Sequence, residues 1–225
     1  METIIRTENV NKSFKSGRET IQALKEVSLD IRQGTLSILR GRSGSGKTTL
    51  INLLGALDKP DSGGIFFLNQ DITRLTEKKR DELRRRKMGF VFQSVALIPL
   101  MSAYENVEFG LRIAGIGARE RKRRAEECLS FVGLQKRMEH GTHQMSGGEQ
   151  QRVAIARAIA HRPAIIFADE PTAQLDTLMG LQVMKVFKDL VEKEGLTIVM
   201  TSHDPNIIDL ADAVHALQDG QIINE

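Results

Sequence analysis

The chain has 225 residues, 40% hydrophobic and 27% charged, with 32 basic against 29 acidic side chains; this balance supplies a core for one large domain or two intimate lobes and excludes a disordered chain. Its longest apolar runs, such as residues 95–101 with Pro99 inside, fall far short of the ~20 residues that span a bilayer, so no segment is expected to cross a membrane by itself. Residues 1–6 show no basic stretch followed by an apolar run, so no secretory signal is expected. A single cysteine, Cys128, excludes an internal disulfide and fits a reducing compartment. Nine phenylalanines, one tyrosine and no tryptophan argue against an apolar-aromatic binding pocket.

Taken in chain order, residues 27–31 alternate with period two and predict a half-buried strand, whereas residues 36–39 form a continuous apolar run. A glycine-rich stretch follows, then a helix beginning near Thr48-Thr49-Leu50. Ser62-Gly63-Gly64 is a turn signal ahead of a strand over 65–68. Residues 71–137 turn charged and largely helical, interrupted by an apolar strand over 89–92. Ser146 and Glu149 are spaced as a capping box, which predicts a helix over 150–160. Apolar strands are expected at 164–168 and 196–200, separated by an amphipathic helix with Val183, Val186, Phe187, Leu190 and Val191 on one face and Gly195 as its stop. Asp204-Pro205 is a helix cap, and Asp219-Gly220 reads as a hairpin turn. Alternating strands suggest an antiparallel sheet; the runs apolar on both faces require a parallel sheet covered by helices.

Residues 71–137 hold 16 Lys or Arg against 9 Asp or Glu, a balance of +7, which leaves −4 for the rest. The densest runs are Lys78-Lys79-Arg80, Arg84-Arg85-Arg86-Lys87 and Arg121-Lys122-Arg123-Arg124. Interleaved acids permit a solvated helical face; an anionic membrane surface, an acidic partner or nucleic acid are the other readings.

Chemistry concentrates at the ends of the apolar strands. Gly41-Arg42-Ser43-Gly44-Ser45-Gly46-Lys47-Thr48 fits G-x-x-x-x-G-K-[ST], directly after a strand and opening a helix. Such a loop wraps backbone N–H groups around phosphates, with Lys47 reaching the β/γ oxygens and the Thr48 hydroxyl available to Mg²⁺. The strand at 164–168 ends in Asp169 and Glu170, the first suited to the metal shell and the second, expected on the opposite side by strand alternation, to take a proton from water. The strand at 89–92 runs into Gln93, a metal or water contact, and that at 196–200 leads to His203, a γ-phosphate contact. Parallel strands end along one edge, so Lys47, Gln93, Glu170 and His203 are expected at one crevice. Ser146-Gly147-Gly148-Glu149 is a second potential anion site, with the Glu149 carboxylate turned back onto its own backbone.

These motifs together resemble the ATP-binding cassette ATPases over essentially the whole chain. The run headed by His143-Gln144-Met145-Ser146-Gly147-Gly148-Glu149-Gln150-Gln151-Arg152 is similar to the family signature, and Asp169-Glu170-Pro171-Thr172-Ala173-Gln174-Leu175-Asp176 to its Walker B motif and D-loop. The resemblance implies an α/β P-loop NTPase fold with a mixed central sheet, an antiparallel β subdomain and an inserted helical subdomain. It implies ATP and Mg²⁺ as ligands: residues 41–48, Thr49 and Asp176 at the nucleotide, Phe14 as the adenine-stacking aromatic, and Thr48, Gln93 and Asp169 at the metal. Catalysis falls to Glu170 and His203, with Gln93 and Lys47. It also implies a head-to-tail dimer in which Ser146, Gly148 and Glu149 meet the ATP of a second copy. The sequence departs from the commonest pattern at Met145, Glu149 and Phe14; the last is alternatively a buried strand residue.

Residues 92–107, with Gln93 and Ile98-Pro99-Leu100-Met101, resemble the macrolide-export, lipoprotein-release and cell-division group. The partner implied is a polytopic membrane permease subunit, received at residues 97–101, with the chain peripheral on the cytoplasmic face of the inner or plasma membrane. Its basic helical region would then face that partner and anionic lipid, not nucleic acid. The division expected is a single domain over 1–225: residues 1–70 antiparallel β and phosphate loop, 71–160 Q-loop and helical part through the signature helix, and 161–225 core. The alternative is a soluble cassette such as an iron-sulfur assembly ATPase.

Overall fold

Period-two patterning, a buried central run and a chain of glycine-marked turns build the first part of the molecule. The computed structural model describes residues 2–17 and 19–223. It divides into two units, Met1–Arg84 with Val191–Glu225, and Arg85–Leu190.

In the first unit, β1 (Thr3–Ser16) pairs antiparallel with β2 (Glu19–Arg32) and with β4 (Ser62–Phe67), and β5 (Gln70–Asp71) closes the order β2-β1-β4-β5. Along β2, Val27, Leu29 and Ile31 are buried in alternation, but Leu24 is buried out of phase. A register shift between Val10 and Lys12 of β1, with Glu26 at φ 48°, accounts for it: a bulge inserts one residue and resets which face points inward. The strand expected over 65–68 ends at Phe67. Leu68 and Asn69 both adopt positive φ (49° and 62°), a two-residue hairpin turn leading to β5 that turn chemistry alone does not announce at a leucine.

The second sheet segment of this unit is mixed. β3 (Leu36–Arg40) lies between β8 (Thr197–Ser202) and β9 (Ala213–Gln218), parallel to both, and β9 turns antiparallel into β10 (Gln221–Ile223). All six residues of β8 are buried, including Thr201 and Ser202, so the strand runs two residues beyond its apolar stretch. Asp219 (φ 49°) and Gly220 (φ 81°) make the predicted hairpin turn. α1 (Lys47–Leu54) follows the glycine-rich loop, and α7 (Pro205–Ile208) is capped by the Asp204 carboxylate, which accepts from Asn206 N–H.

α2 (Glu77–Lys87), in which the division between units falls, has no apolar buried face; its buried residue is Arg80. Arg80 and Arg84 donate to the Ala56 carbonyl at 3.4 and 2.6 Å and pair with Glu77. These guanidiniums therefore close the carbonyl end just beyond α1, where positive charge is favoured.

In the second unit, β6 (Met88–Val91) and β7 (Ile165–Asp169) pair in parallel. Phe92, expected in the strand, lies beyond its end and is 36% exposed. α3 (Ala103–Ile113), α4 (Ala118–Phe131) and α5 (Gly147–Ile159) pack on one another through Val107, Leu111, Ala125, Leu129 and the α5 alanines. α5 crosses β6 so closely that a Cβ on Gly89 would stand 2.5 Å from the Ala158 carbonyl. α6 (Thr177–Glu194) starts six residues before its apolar stripe and stops at Gly195, φ 63°. Among the described residues no helix is long and apolar enough to cross a membrane.

Candidate active site

The glycine-rich loop spans the gap between β3 and α1 in the first unit. Gly44 (φ 80°) and Gly46 (φ 103°) hold conformations that side chains resist, and a Cβ on Gly46 would lie 2.5 Å from the Ala23 carbonyl. Gly46 is the N-cap residue of α1 and offers no side-chain cap, so the first-turn N–H groups are left to another acceptor. Lys47 is buried, and its Nζ donates to the Gly41 and Arg42 carbonyls at 2.8 and 3.0 Å. Ser45 Oγ is buried with no hydrogen-bond partner among the described residues. An unpaired hydroxyl beside glycines and a buried ammonium is a donor set suited to phosphate oxygens. Arg42, Ser43 and Thr48 are exposed, and Thr49 is half-buried on α1.

In the same unit, Arg40 of β3 pairs in register with Ser202 of β8. The next residues, Gly41 and His203, therefore leave the sheet at one edge, and His203 is exposed there. Phe14 is 45% exposed on β1, which rules out its reading as a buried strand residue. Lys12 Nζ lies 5.2 Å from its ring centroid; that ammonium is anchored on Asp58 at 2.8 Å and the Lys59 carbonyl at 2.7 Å.

In the second unit, Val91 of β6 pairs with Ala168 of β7, so Gln93 and Asp169 emerge together at the C-terminal end of two parallel strands. Asp169 is the last strand residue, but Glu170 is not part of the alternation expected of it. Its φ of 43° takes it out of the strand, and the left-handed turn, not the pleat, sets its direction. For a non-glycine residue that conformation costs about 1–2 kcal/mol, a strain characteristic of working sites. Val95 (φ 50°) and Ala96 (φ 47°), just past Gln93, are left-handed too. Arg157 of α5 donates Nη1 to the Ala96 carbonyl at 2.7 Å and Nη2 to the Val95 carbonyl at 3.3 Å. Farther along, Asn106 of α3 bonds the N–H and carbonyl of Ile98 and the carbonyls of Met101 and Ser102. The sequence assigns a role to neither: Arg157 meets residues 95 and 96 only through the fold, whereas the bonds of Asn106 are local.

The head of α5 forms the capping box its spacing predicts. Glu149 N–H donates to Ser146 Oγ at 3.3 Å, and Ser146 N–H to Glu149 Oε2 at 2.9 Å. That backbone bond, with Arg137 Nε 3.5 Å away, holds the Glu149 carboxyl below its ordinary pKa. The carboxylate faces its own backbone, and of the two glycines that follow Ser146, Gly147 is exposed whereas Gly148 is buried. Leu175 stands 3.3 Å from a would-be Cβ on Gly147, and Met179 3.3 Å from one on Gly148. Asp176 accepts from Met179 N–H at 2.9 Å and so caps α6, a structural task that the sequence did not assign to it.

A phosphate loop between a parallel strand and a helix, in a mixed sheet with an antiparallel layer and a helical unit, defines a P-loop nucleoside triphosphatase. Residues 24–173 match the ABC transporter family model. The ABC transporter ATP-binding protein MJ0796 of Methanocaldococcus jannaschii is 44% identical over 99% of this chain and 96% of its own. The macrolide export ATP-binding/permease protein MacB of Syntrophobacter fumaroxidans is 43% identical over 97% of this chain, which spans 31% of that longer protein. A dimeric MJ0796 structure in a post-hydrolysis state, bound to ADP and Pi, superposes with a TM-score of 0.90 at 42% identity, covering 98% of this chain and 97% of the other. The chain belongs to the ABC transporter family, as an ATP-binding cassette ATPase.

Proposed function

We propose that the protein is the ATP-hydrolysing subunit of a membrane transport or mechanotransmission complex, in which two copies pair head to tail around two ATP molecules and drive a separate polytopic permease. The observation that carries this reading is the Ser146 cap. Because Glu149 bonds its own helix start, Ser146 and Gly148 can meet a second anion, the ATP held by the partner copy's phosphate loop. The dimeric MJ0796 with ADP and Pi, and the joined ATP-binding and permease functions in the name MacB, support the dimer and the permease respectively.

In this reading the loop from Gly41 to Thr48, with Thr49, cradles the phosphates, Lys47 neutralises the β/γ oxygens, and Phe14 stacks on adenine. Glu170 accepts the proton of the attacking water, His203 bonds the γ-phosphate, and Asp176 lies in the D-loop near the nucleotide. Among the described residues no three His, Cys, Asp or Glu side chains gather as a metal site. Mg²⁺ keeps waters and phosphate oxygens and takes few protein ligands; Thr48, Gln93 and Asp169 supply hard oxygen donors for it. When bound, the ion would offset phosphate charge. The chain is then divided as residues 1–70, 71–160 and 161–225, and sits on the cytoplasmic face of the membrane through its permease.

Glu170→Gln tests the assignment. Steady-state hydrolysis should fall by at least about 100-fold, the worth of a positioned general base, while ATP-bound dimers accumulate on size-exclusion chromatography. Full turnover in that variant would sink the reading. Recovery of the tagged protein with a soluble scaffold instead of a polytopic membrane protein would favour the iron-sulfur alternative.

A further inference from the structure

We propose that Arg157 is a positioning residue that ties α5, the helix headed by Ser146, to Gln93 of the same chain. Gln93 and Ser94 are the central residues of a turn in which Val95 N–H donates to the Phe92 carbonyl at 3.1 Å. The last residue of that turn, and the next, are the two whose carbonyls accept from the Arg157 fork. Both are left-handed, and valine is β-branched, so the turn needs an outside hold to keep its shape. The planar guanidinium supplies it with two donors in fixed geometry.

The bonds to this turn are what a charge at position 157 is for. No carboxylate pairs with Arg157 among the described residues, and burial lowers its pKa from the ordinary value. Gly110 of α3 leaves room for its stem: a Cβ there would stand 3.0 Å from Arg157 Cγ. An apolar residue would fill the same space without desolvating a cation. What it would lack is the pair of bonds to the turn.

Ser146 caps the start of α5 and Arg157 lies near its end, about 16–17 Å apart along the axis at the rise of an α-helix. With the function proposed above, on which this inference rests, the first end meets the partner copy's ATP and the second sets the geometry of Gln93 at the chain's own. One rigid helix thereby links the two nucleotides.

A double-mutant cycle on the full chain tests this. Arg157→Met keeps the stem and removes the fork; its kcat should fall about 10- to 100-fold, as misplacement by about an ångström does, with KM for ATP within about twofold. The Hill coefficient for ATP should fall toward 1, and Arg157→Lys, which keeps one donor, should restore part of each loss. Combined with Gln93→Ala, Arg157→Met should add no further loss. Unchanged kcat in Arg157→Met, or losses that multiply in the double variant, would overturn the inference while leaving the role of Gln93 intact. Wild-type turnover in Gln93→Ala would remove that role and the inference with it. Should Arg157→Met fail to fold, as judged by circular dichroism, Arg157→Lys enters the same cycle: its smaller kcat loss should again add nothing to that of Gln93→Ala, and no loss, or a loss that multiplies, would overturn the inference.

Discussion

Gly46 shows how much a single position of the phosphate loop is asked to do. It combines φ 103° with a backbone approach that leaves 2.5 Å for any Cβ against Ala23. Gly46→Ala should therefore cost about 1–3 kcal/mol from the backbone alone, read as a lower urea midpoint, together with loss of nucleotide binding by fluorescence titration. Lys47, Thr48 and Asp169 were legible as types in a pattern, because phosphate chemistry admits few alternatives. The left-handed turn at Glu170 was not, since any strand end followed by an acidic pair looks alike in sequence. Arg84 and Arg85 carry a related lesson. They belong to the densest basic run, yet Arg84 bonds the Ala56 carbonyl and Arg85 the Ile113 carbonyl. Charge reversal there would break internal contacts, so those two residues are a poor probe of membrane attraction; exposed Lys78, Lys79, Lys122 and Arg119 are the better set.

At the scale of elements, two of the described helices share one device. Ser102 and Glu105 form a capping box at α3 like that of Ser146 and Glu149 at α5, and the sequence carries the same spacing at both. Ser102→Ala and Ser146→Ala should each cost about 1 kcal/mol of stability, measured by urea denaturation. Only Ser146→Ala should also reduce ATPase activity at saturating ATP, since only that cap is proposed to meet a nucleotide. Strands buried on both faces were readable because a short, continuous apolar run bounded by turn signals suits a sheet covered by helices and little else. α2 was readable only as charge. Its inward face is made of guanidiniums on a carbonyl and a glutamate, so periodicity of apolar residues says nothing of which side is buried.

At the scale of the whole molecule, each unit holds a half-buried histidine that makes stability depend on pH. His161 donates Nε2–H to the Met88 carbonyl, and burial pushes its pKa below the ordinary 6.5; burial does the same to His215 on β9. Both folded states favour neutral imidazole, so the unfolded chain binds more protons below 6.5. Their contribution to stability is complete above about 6.5 and is lost as pH falls through the lower folded values. The denaturation midpoint should drop between pH 7 and 5, and His215→Leu should flatten part of that drop. The division between units falls within α2 and α6, where a continuous helix offers no composition change to read.

The β9–β10 hairpin gives the phosphate loop a support that comes from far along the chain. Gly220 N–H donates to the Ser45 carbonyl, the Gly220 carbonyl accepts from Lys25 N–H, and the Leu217 carbonyl abuts Gly41. A nascent chain that has not yet released residues 217–220 from the ribosome lacks these supports, although the loop itself emerged some 170 residues earlier. A chain shortened before residue 217 thus keeps the sequence of the loop but loses the hairpin that shapes it.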